Sequence, residues 1–151
     1  GERNTNFYIL KKGIWRAYYM IDGTESSLWF AGTGEIGFSS WGYVNNEISQ
    51  VNIESVNKST AYCIAKPDLE ELFNSSIELS NFGRKIFEQE ILFIDSYTLS
   101  YSTPSATERY LTLMEENPEL LQYVPLKHLA SYLYITPQSL SRIRAGLKRR
   151  R

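Results

Sequence analysis

The sequence predicts an α+β protein with an N-terminal antiparallel β-roll of the double-stranded jelly-roll type, a long helix and a C-terminal helix-turn-helix domain. Short strand-like segments separated by glycine-rich turns fill residues 7–66, a pattern typical of a small β-roll. After Pro67 the pattern becomes helical, with one long proline-free segment at residues 81–101. Two short amphipathic helices joined by a three-residue turn then close the chain.

The strands are marked by their composition and by the turns between them. The segments FYILKK, IWRAYYMI, ISQVNIESV and TAYCIAK are rich in aromatic and β-branched residues. Asp22 and Gly23 predict a tight hairpin between IWRAYYMI and TESSLWFA, and the segments GTGEIG and GYVNNE predict two further turns. Because the first strand begins near residue 7, we expect that a complete roll has further strands before it.

The helical part begins at Pro67, which suits the first turn of a short helix. In residues 81–101 the apolar positions cover half of the helix circumference, more than docking on one neighbour requires. We therefore expect a dimerisation helix, although a helix packed deeply within one chain would show the same pattern. The following segment, SYSTPSAT, predicts a hinge, and Thr107 or a neighbour is expected to cap the next helix.

Composition excludes several classes of protein. The single cysteine, Cys63, rules out an internal disulfide and a multi-cysteine metal site, and its apolar surroundings predict a buried thiol. No apolar run approaches the ~18 residues of a membrane span, so a soluble cytoplasmic protein is expected. There is no nucleophile elbow, P-loop or metal-ligand spacing, and we predict neither catalysis nor a cofactor.

Two further residue types are interpreted from their surroundings. The single histidine, His128, lies opposite the leucines of its helix, which predicts an exposed position or one next to a phosphate. The three tryptophans are expected in the core rather than in a ligand cage, with a small apolar effector between them as the alternative. They are Trp15, Trp29 and Trp41.

Charge is divided unevenly along the chain. Residues 1–124 carry nine Lys or Arg against all 17 Asp and Glu, whereas residues 125–151 carry seven Lys or Arg and no acid. An acidic body followed by a basic segment indicates that the basic segment meets a polyanion. For the final KRRR, a solvated tail is the alternative.

The two last helices have the pattern of a helix-turn-helix motif. The first helix places its apolar residues on one narrow face, and these are Leu126, Leu129, Ala130 and Leu133. Thr136 and Pro137 then supply the N-cap and the first-turn proline of the second helix. The core side of that helix consists of Leu140, Ile143 and Leu147, and its opposite side is polar and basic.

That polar side carries residues suited to reading DNA bases in a major groove. Arg142 can bond a guanine edge in bidentate fashion and Gln138 an adenine edge, while Ser139 and Ser141 are short enough to let the helix approach. Phosphate contacts are expected from Lys127, Thr136, Arg144, Lys148 and Arg149. The alternative is a ligand-binding or protein-interaction β-roll module whose basic helical tail does not bind DNA.

The motif ITPQSLSRIR, with PLKHLASYL before it, resembles the helix-turn-helix of the Crp/Fnr transcription regulators. The resemblance extends over nearly the whole chain through FYILKKGIWRAYYMIDG, GTGEIG, AYCIAKPDLEELF and the long helical segment. It implies a β-roll sensor lacking its first strands, a homodimer, and paired recognition helices that bind a two-fold symmetric site on double-stranded DNA.

Departures from the family pattern restrict the effector. Members that bind cyclic AMP hold its phosphate with an Arg-Ser pair after a Gly-Glu turn, but residues 34–56 contain no Arg or Lys. Glu35 is a weak candidate for the effector pocket and more typical of a turn residue. Tyr134 occupies a turn position where the family usually has glycine, which predicts a strained or altered turn.

We therefore predict a sensor domain over residues 1–80, a dimerisation helix over 81–102 and a DNA-binding domain over 103–151. The predicted function is transcription regulation by a cytoplasmic homodimer that responds to a small effector of unknown identity other than cyclic AMP. In the predicted mechanism the roll sets the placement of the long helices, and the hinge at residues 102–105 converts it into the spacing of the recognition helices.

Overall fold

The computed structural model describes residues 1–100 and 105–149, with only the backbone at Ser100, and confirms the α+β class. The strands are β1 (Phe7–Lys12), β2 (Trp15–Ile21), β3 (Thr24–Ala31), β4 (Ile36–Gly37), β5 (Asn52–Ser55) and β6 (Thr60–Ile64). The helices in the described part of the chain are α1 (Ser40–Asn45), α2 (Lys66–Ser75), α3 (Ile77–Ser100), α4 (Ala106–Glu116), α5 (Leu120–Tyr123), α6 (Leu126–Tyr132) and α7 (Pro137–Lys148).

The strands form two three-stranded antiparallel sheets, in the orders β4-β1-β6 and β3-β2-β5. The predicted hairpin is confirmed: Ile21 pairs with Thr24, and Asp22 and Gly23 between them have φ of 48° and 77°. Two successive positive φ values match the right-handed twist of the flanking strands.

The turn from β1 to β2 requires a glycine. Gly13 has φ of 100°, and a Cβ there would lie 2.4 Å from Cβ of Ser59. Both the backbone conformation and the close approach therefore exclude a side chain.

Several local predictions in the roll are wrong. The segment GYVNNE mostly belongs to α1, which ends at Asn46 in the left-handed region, and only Asn52–Ser55 of ISQVNIESV forms a strand. Cys63 is exposed, because β6 is an edge strand whose residues are poorly covered. The three tryptophans are only partly buried, and none belongs to the two hydrophobic clusters of the described residues.

The helices that follow the roll agree better with the predictions. Pro67 lies in the first turn of α2, as predicted, and α3 begins at Ile77 rather than at residue 81. Gly83 lets α3 approach α2 closely, since a Cβ there would lie 2.5 Å from the ring of Phe73. None of the described helices combines the length and hydropathy needed to cross a membrane.

Two hydrophobic clusters hold the protein together. The smaller one joins β1, α1 and α3 through the aromatic rings of Phe7, Phe38, Tyr43 and Phe87. The larger one joins the helices α4–α7 and extends into the roll through Ile14, with Phe30 and Val56 packed against it. The β-roll and the C-terminal helices therefore share one core.

The predicted hinge lies largely outside the described residues, which leave out 101–104 and with them the proposed boundary between long helix and C-terminal domain. Ser105, two residues before Thr107, is the N-cap of α4, and Thr107 lies inside the helix. The hydroxyl of Ser105 accepts from the backbone N–H of Glu108, whose carboxylate accepts from the backbone N–H of Ser105 at 2.6 Å. This reciprocal pair fixes the start of α4.

Candidate nucleic-acid interface

Helix α6 ends in a tight reversal that sets the direction of α7. Tyr134 has φ of 56°, its N–H donates to the carbonyl of Ser131 at 3.1 Å, and the N–H of Ile135 donates to Ala130 at 3.0 Å. This is a Schellman motif, in which the residue with positive φ is usually glycine. The sequence prediction of a strained turn at this position is confirmed.

A residue that the sequence analysis missed also supports the reversal. The guanidinium of Arg109, in α4, donates from Nε at 3.2 Å and from Nη2 at 3.0 Å to the carbonyl of Leu133. A cation suits this position, because the last carbonyls of a helix carry partial negative charge.

The second helix, α7, begins as predicted. The hydroxyl of Thr136 accepts from the N–H of Ser139 at 3.2 Å, and Pro137 occupies the first turn. Leu140 is fully buried against Leu129, Ala130 and Leu133, and the other two predicted core residues are partly buried. One side of α7 is thereby anchored in the domain core.

The opposite side of α7 is exposed and carries the predicted base-reading residues. Gln138, Ser141 and Arg142 are exposed, whereas Ser139 is partly buried. The hydroxyl of Ser139 accepts from Nη2 of Arg142 at 3.2 Å and from the hydroxyl of Thr136 at 3.0 Å. Ser139 therefore supports the guanidinium of Arg142, and we call Gln138, Ser141 and Arg142 the reading face.

The predicted phosphate-binding residues flank the reading face on two elements. Lys127, Thr136, Lys148 and Arg149 are exposed, and Arg144 is partly buried. The side chain of Thr136 is already used as the helix cap. The last two arginines of KRRR lie outside the residues that the structure describes.

His128 is neither exposed nor part of the basic surface, so its prediction is wrong. Its side chain is 12% exposed, and Nδ1 contacts Nη1 of Arg16 in β2. Burial, together with the charges of Arg16 and Lys127, lowers the pKa of His128 from 6.5 to about 4. The reason for the error is that α6 packs on two sides, with its leucines on the helical core and His128 on the roll.

The long helix contacts the turn directly. Tyr97 of α3 stacks on Tyr132 with ring centroids 5.3 Å apart, and its hydroxyl is hydrogen-bonded to the hydroxyl of Tyr134. Tyr134 therefore contacts α3 as well as the end of α6. This link was not predicted.

Glu35, the weak effector candidate, acts as a turn residue. Its exposed side chain accepts from the backbone N–H of Gly32 at 2.7 Å. Burial, together with the nearby charge of Glu35, raises the pKa of Glu90 in α3. Glu35 therefore supports its own turn and lies near a second carboxyl group.

A cleft of about 690 Å³ opens into the roll beside β5. Its walls include the aromatic residues Tyr8, Trp15, Tyr18 and Phe38, together with several hydroxyl and amide side chains. Neither Lys nor Arg occurs among the described residues that line the cleft, whereas the carboxylates of Glu2 and Glu54 do. This lining does not favour a phosphate group.

The combination of β-roll, long helix and helix-turn-helix is the fold of the Crp/Fnr transcription regulators. FixK2 from Bradyrhizobium japonicum matches 99% of this chain and 77% of its own at a TM-score of 0.82 and 17% identity. A CRP-family transcriptional regulator from Thermus thermophilus matches 99% of this chain and 78% of its own, with a TM-score of 0.76 and 17% identity.

A third solved structure, a CooA mutant from Carboxydothermus hydrogenoformans, matches 95% of this chain and 67% of its own at a TM-score of 0.73 and 14% identity. No family model and no curated protein sequence matches the chain. At these identities the similarity establishes the fold, and function has to be argued from the site.

Proposed function

We propose that the chain is a sequence-specific DNA-binding transcription regulator of Crp/Fnr type that acts as a homodimer in the cytoplasm and not as an enzyme. The observation that carries the proposal is the two-sided character of α7. Leu140 is fully buried on one side, and Gln138, Ser141 and Arg142 are exposed on the other. A helix held in this way can enter a major groove without unfolding its domain.

Each residue of the reading face has a role in this proposal. Arg142 donates two hydrogen bonds to a guanine edge, and its bond to Ser139 limits the conformations that the long side chain samples. Gln138 pairs with an adenine edge, and Ser141 allows the helix to approach closely. Ser139, which the sequence analysis grouped with the base readers, contributes mainly through Arg142.

Basic residues around the reading face supply affinity that does not depend on sequence. We propose phosphate contacts for Lys127, Arg144, Lys148 and Arg149, and for Thr136 through the backbone at the start of α7. Each neutralised phosphate releases counterions, so binding is expected to weaken steeply with salt. These contacts place the reading face in the groove.

The dimer is proposed from the apolar surface of α3. Ile91, Leu92 and Ile94 are each more than half exposed. Successive exposed aliphatic residues on a helix that also packs on its own roll indicate a surface that is covered by another chain. A second copy fits, because paired recognition helices bind DNA with two-fold symmetry. We propose the dimerisation helix over residues 81–102, between a sensor domain and a DNA-binding domain.

We propose that the effector binds in the cleft of the roll and is not cyclic AMP. The cleft offers aromatic walls with hydroxyl and amide groups, and its described lining includes the carboxylates of Glu2 and Glu54 and neither Lys nor Arg. An uncharged or cationic molecule satisfies these groups better than a cyclic phosphate. A shift in melting temperature with cyclic AMP would contradict this part of the proposal.

Selection of binding sites from random double-stranded DNA with the purified protein tests the function. We expect an enriched site with two-fold symmetry and a fixed distance between its halves, as paired recognition helices require. Recovery of no enriched sequence at low salt would contradict DNA reading, and it would favour a ligand-binding or protein-interaction module.

A further inference from the structure

The contact between the roll and α6 contains an arginine that is completely buried. Arg16, in the middle strand of the β3-β2-β5 sheet, is 0% exposed. Its Nη2 lies 2.7 Å from Oε2 of Glu25 in β3, and its Nη1 lies 3.3 Å from Oε1 of Glu54 in β5. A buried guanidinium needs such partners, because losing water is otherwise strongly unfavourable.

The C-terminal helices supply a further partner of Arg16, whose Nε has no hydrogen-bond partner among the described residues. Nη1 contacts Nδ1 of His128, and because a guanidinium only donates hydrogen bonds, Nδ1 must carry the lone pair. His128 is therefore neutral, with its proton on Nε2. Arg16 also lies over the ring of Tyr18, with its Cζ 4.2 Å from the centroid. Three strands of the roll and one helix of the motif thus meet at one side chain.

Two weaker contacts extend this junction along α6. The hydroxyl oxygens of Ser27 in β3 and Ser131 in α6 lie 2.9 Å apart, and the backbone N–H of Ser27 donates to Ser131 at 3.1 Å. At the next residue of α6, the rings of Phe30 and Tyr132 meet edge to face with centroids 5.2 Å apart. The roll therefore contacts the helix whose C-terminal turn sets the direction of α7.

We propose that Arg16 and His128 form a latch that holds the helix-turn-helix on the roll in the arrangement that binds DNA. The proposal rests on the DNA-binding function argued above. In the latched arrangement the reading face is exposed, so docking on the roll leaves it accessible. A change in the β3-β2-β5 sheet moves the carboxylates of Glu25 and Glu54, and with them Arg16. The change in the sheet is thereby transmitted to α6 through Arg16 and His128, and residues 101–104 are not needed for it.

The latch and the predicted hinge assign control of α7 to different parts of the chain. A hinge lets the domain rotate about the segment after α3, whereas the latch fixes it through a polar contact on a separate surface. Arg16 and His128 act as positioning residues in this account, because neither needs to contact DNA. When the contact between Arg16 and His128 is lost, we expect α7 to occupy more than one position relative to the roll.

Disulfide trapping measures docking in the absence of DNA. In the full chain, Ser27→Cys and Ser131→Cys place two thiols where hydroxyls are 2.9 Å apart, close enough for a disulfide after a small shift. Cys63→Ser removes the exposed native thiol. We expect rapid disulfide formation in this protein, and formation about tenfold slower when His128→Lys places a second cation against Arg16.

Gln122→Lys is the matched control, because it adds the same charge at an exposed position of α5. Equal rates of disulfide formation with His128→Lys and with Gln122→Lys would overturn the latch, whatever the protein does with DNA. Arg16→Met gives a second test that adds no charge. It removes the guanidinium and leaves Glu25 and Glu54 partly exposed to water, and slower trapping is again expected.

Binding to the selected operator then tests the role of the latch. We expect the oxidised, trapped protein to keep the wild-type preference for one half-site spacing, and His128→Lys to lose it. Trapping should restore the preference to His128→Lys. A trapped protein that no longer binds an operator bound by its reduced form would overturn the proposal, because the DNA-binding state would then be undocked. If the wild-type protein selects no operator, the proposed function is wrong. The rates of disulfide formation still show whether the contact between Arg16 and His128 holds α6 on the roll.

Discussion

Arg16 and His128 contact each other across 112 residues of sequence, and the contact requires the neutral form of the histidine. The groups that face His128 are Arg16 of β2, Glu25 of β3 and Lys127 of α6, with Glu54 of β5 paired to Arg16. The two nearby cations and burial outweigh the single attraction of Glu25. Docking of α6 on the roll is therefore expected to depend on pH.

The unfolded chain binds a proton at His128 near pH 6.5, whereas the folded chain does so only at about 4. Between these values the unfolded state holds more protons, so the free energy of unfolding falls as the pH is lowered. We expect His128→Gln to reduce this slope, measured by urea denaturation at several pH values from 7 to 4. The bond to Arg16 lowers the pKa of Glu25, so the stability that this carboxylate contributes is also lost as the pH falls, at the acid end of the titration.

An unchanged slope in His128→Gln would show that the histidine titrates alike in both states. The buried contact between His128 and Arg16 would then be contradicted. Gln122→Glu serves as a control for a general effect of substitution in this part of the chain, because residue 122 is exposed and lies outside the contact.

Tyr134 gives a prediction about backbone strain. Its φ of 56° is unfavourable for any residue with a Cβ, and its ring and hydroxyl compensate through Tyr97. Tyr134→Gly and Tyr134→Ala both lose these contacts, but only alanine keeps the strain. We expect the glycine variant to be more stable than the alanine variant by about 1 kcal/mol, measured by urea denaturation. Equal stabilities would contradict the positive φ.

The exposed aliphatic residues of α3 predict the oligomeric state. We expect the wild-type protein to sediment as a dimer of 17.5 kDa chains at micromolar concentration. Ile94→Glu should produce folded monomers, because residue 94 is 57% exposed and its substitution disturbs the interface and not the core. Lys85→Glu, also exposed on α3, is the control for introducing a carboxylate. A wild-type monomer at this concentration would contradict the dimer.

Salt dependence separates phosphate contacts from base contacts. Lys148→Gln should weaken binding similarly on all sequences and reduce the slope of log K against log salt by about 1 per site. Lys58→Gln removes the same charge from an exposed loop of the roll and should leave the slope unchanged. Equal slopes for Lys148→Gln and the wild-type protein would show that Lys148 does not contact phosphate.

Local signals in the sequence predicted local structure well. Asp22-Gly23, Pro67 and Thr136-Pro137 each act through the backbone conformation of a few residues, and all three are found where they were expected. The leucine pattern also predicted which faces of α6 and α7 turn toward the core, because helical periodicity decides which side chains share a face.

Contacts between the β-roll and the C-terminal helices could not be predicted from local patterns in the sequence. Arg16 stands in an apolar strand and His128 on the polar side of a helix, but neither pattern states what covers that surface. The single signal was a charge in the interior of the segment IWRAYY. The partners that satisfy it come from β3, β5 and α6, and only the tertiary structure brings them together.

Binding of the selected operator by the Arg142→Ala variant tests the central claim most directly. Arg142 is exposed, so its loss should leave folding unchanged. We expect affinity to fall at least about tenfold, with relaxed preference at one base pair of each half-site. Lys58→Ala, which removes one charge from an exposed loop of the roll, should bind like the wild-type protein. Unchanged affinity and unchanged base preference in Arg142→Ala would contradict DNA reading by this helix.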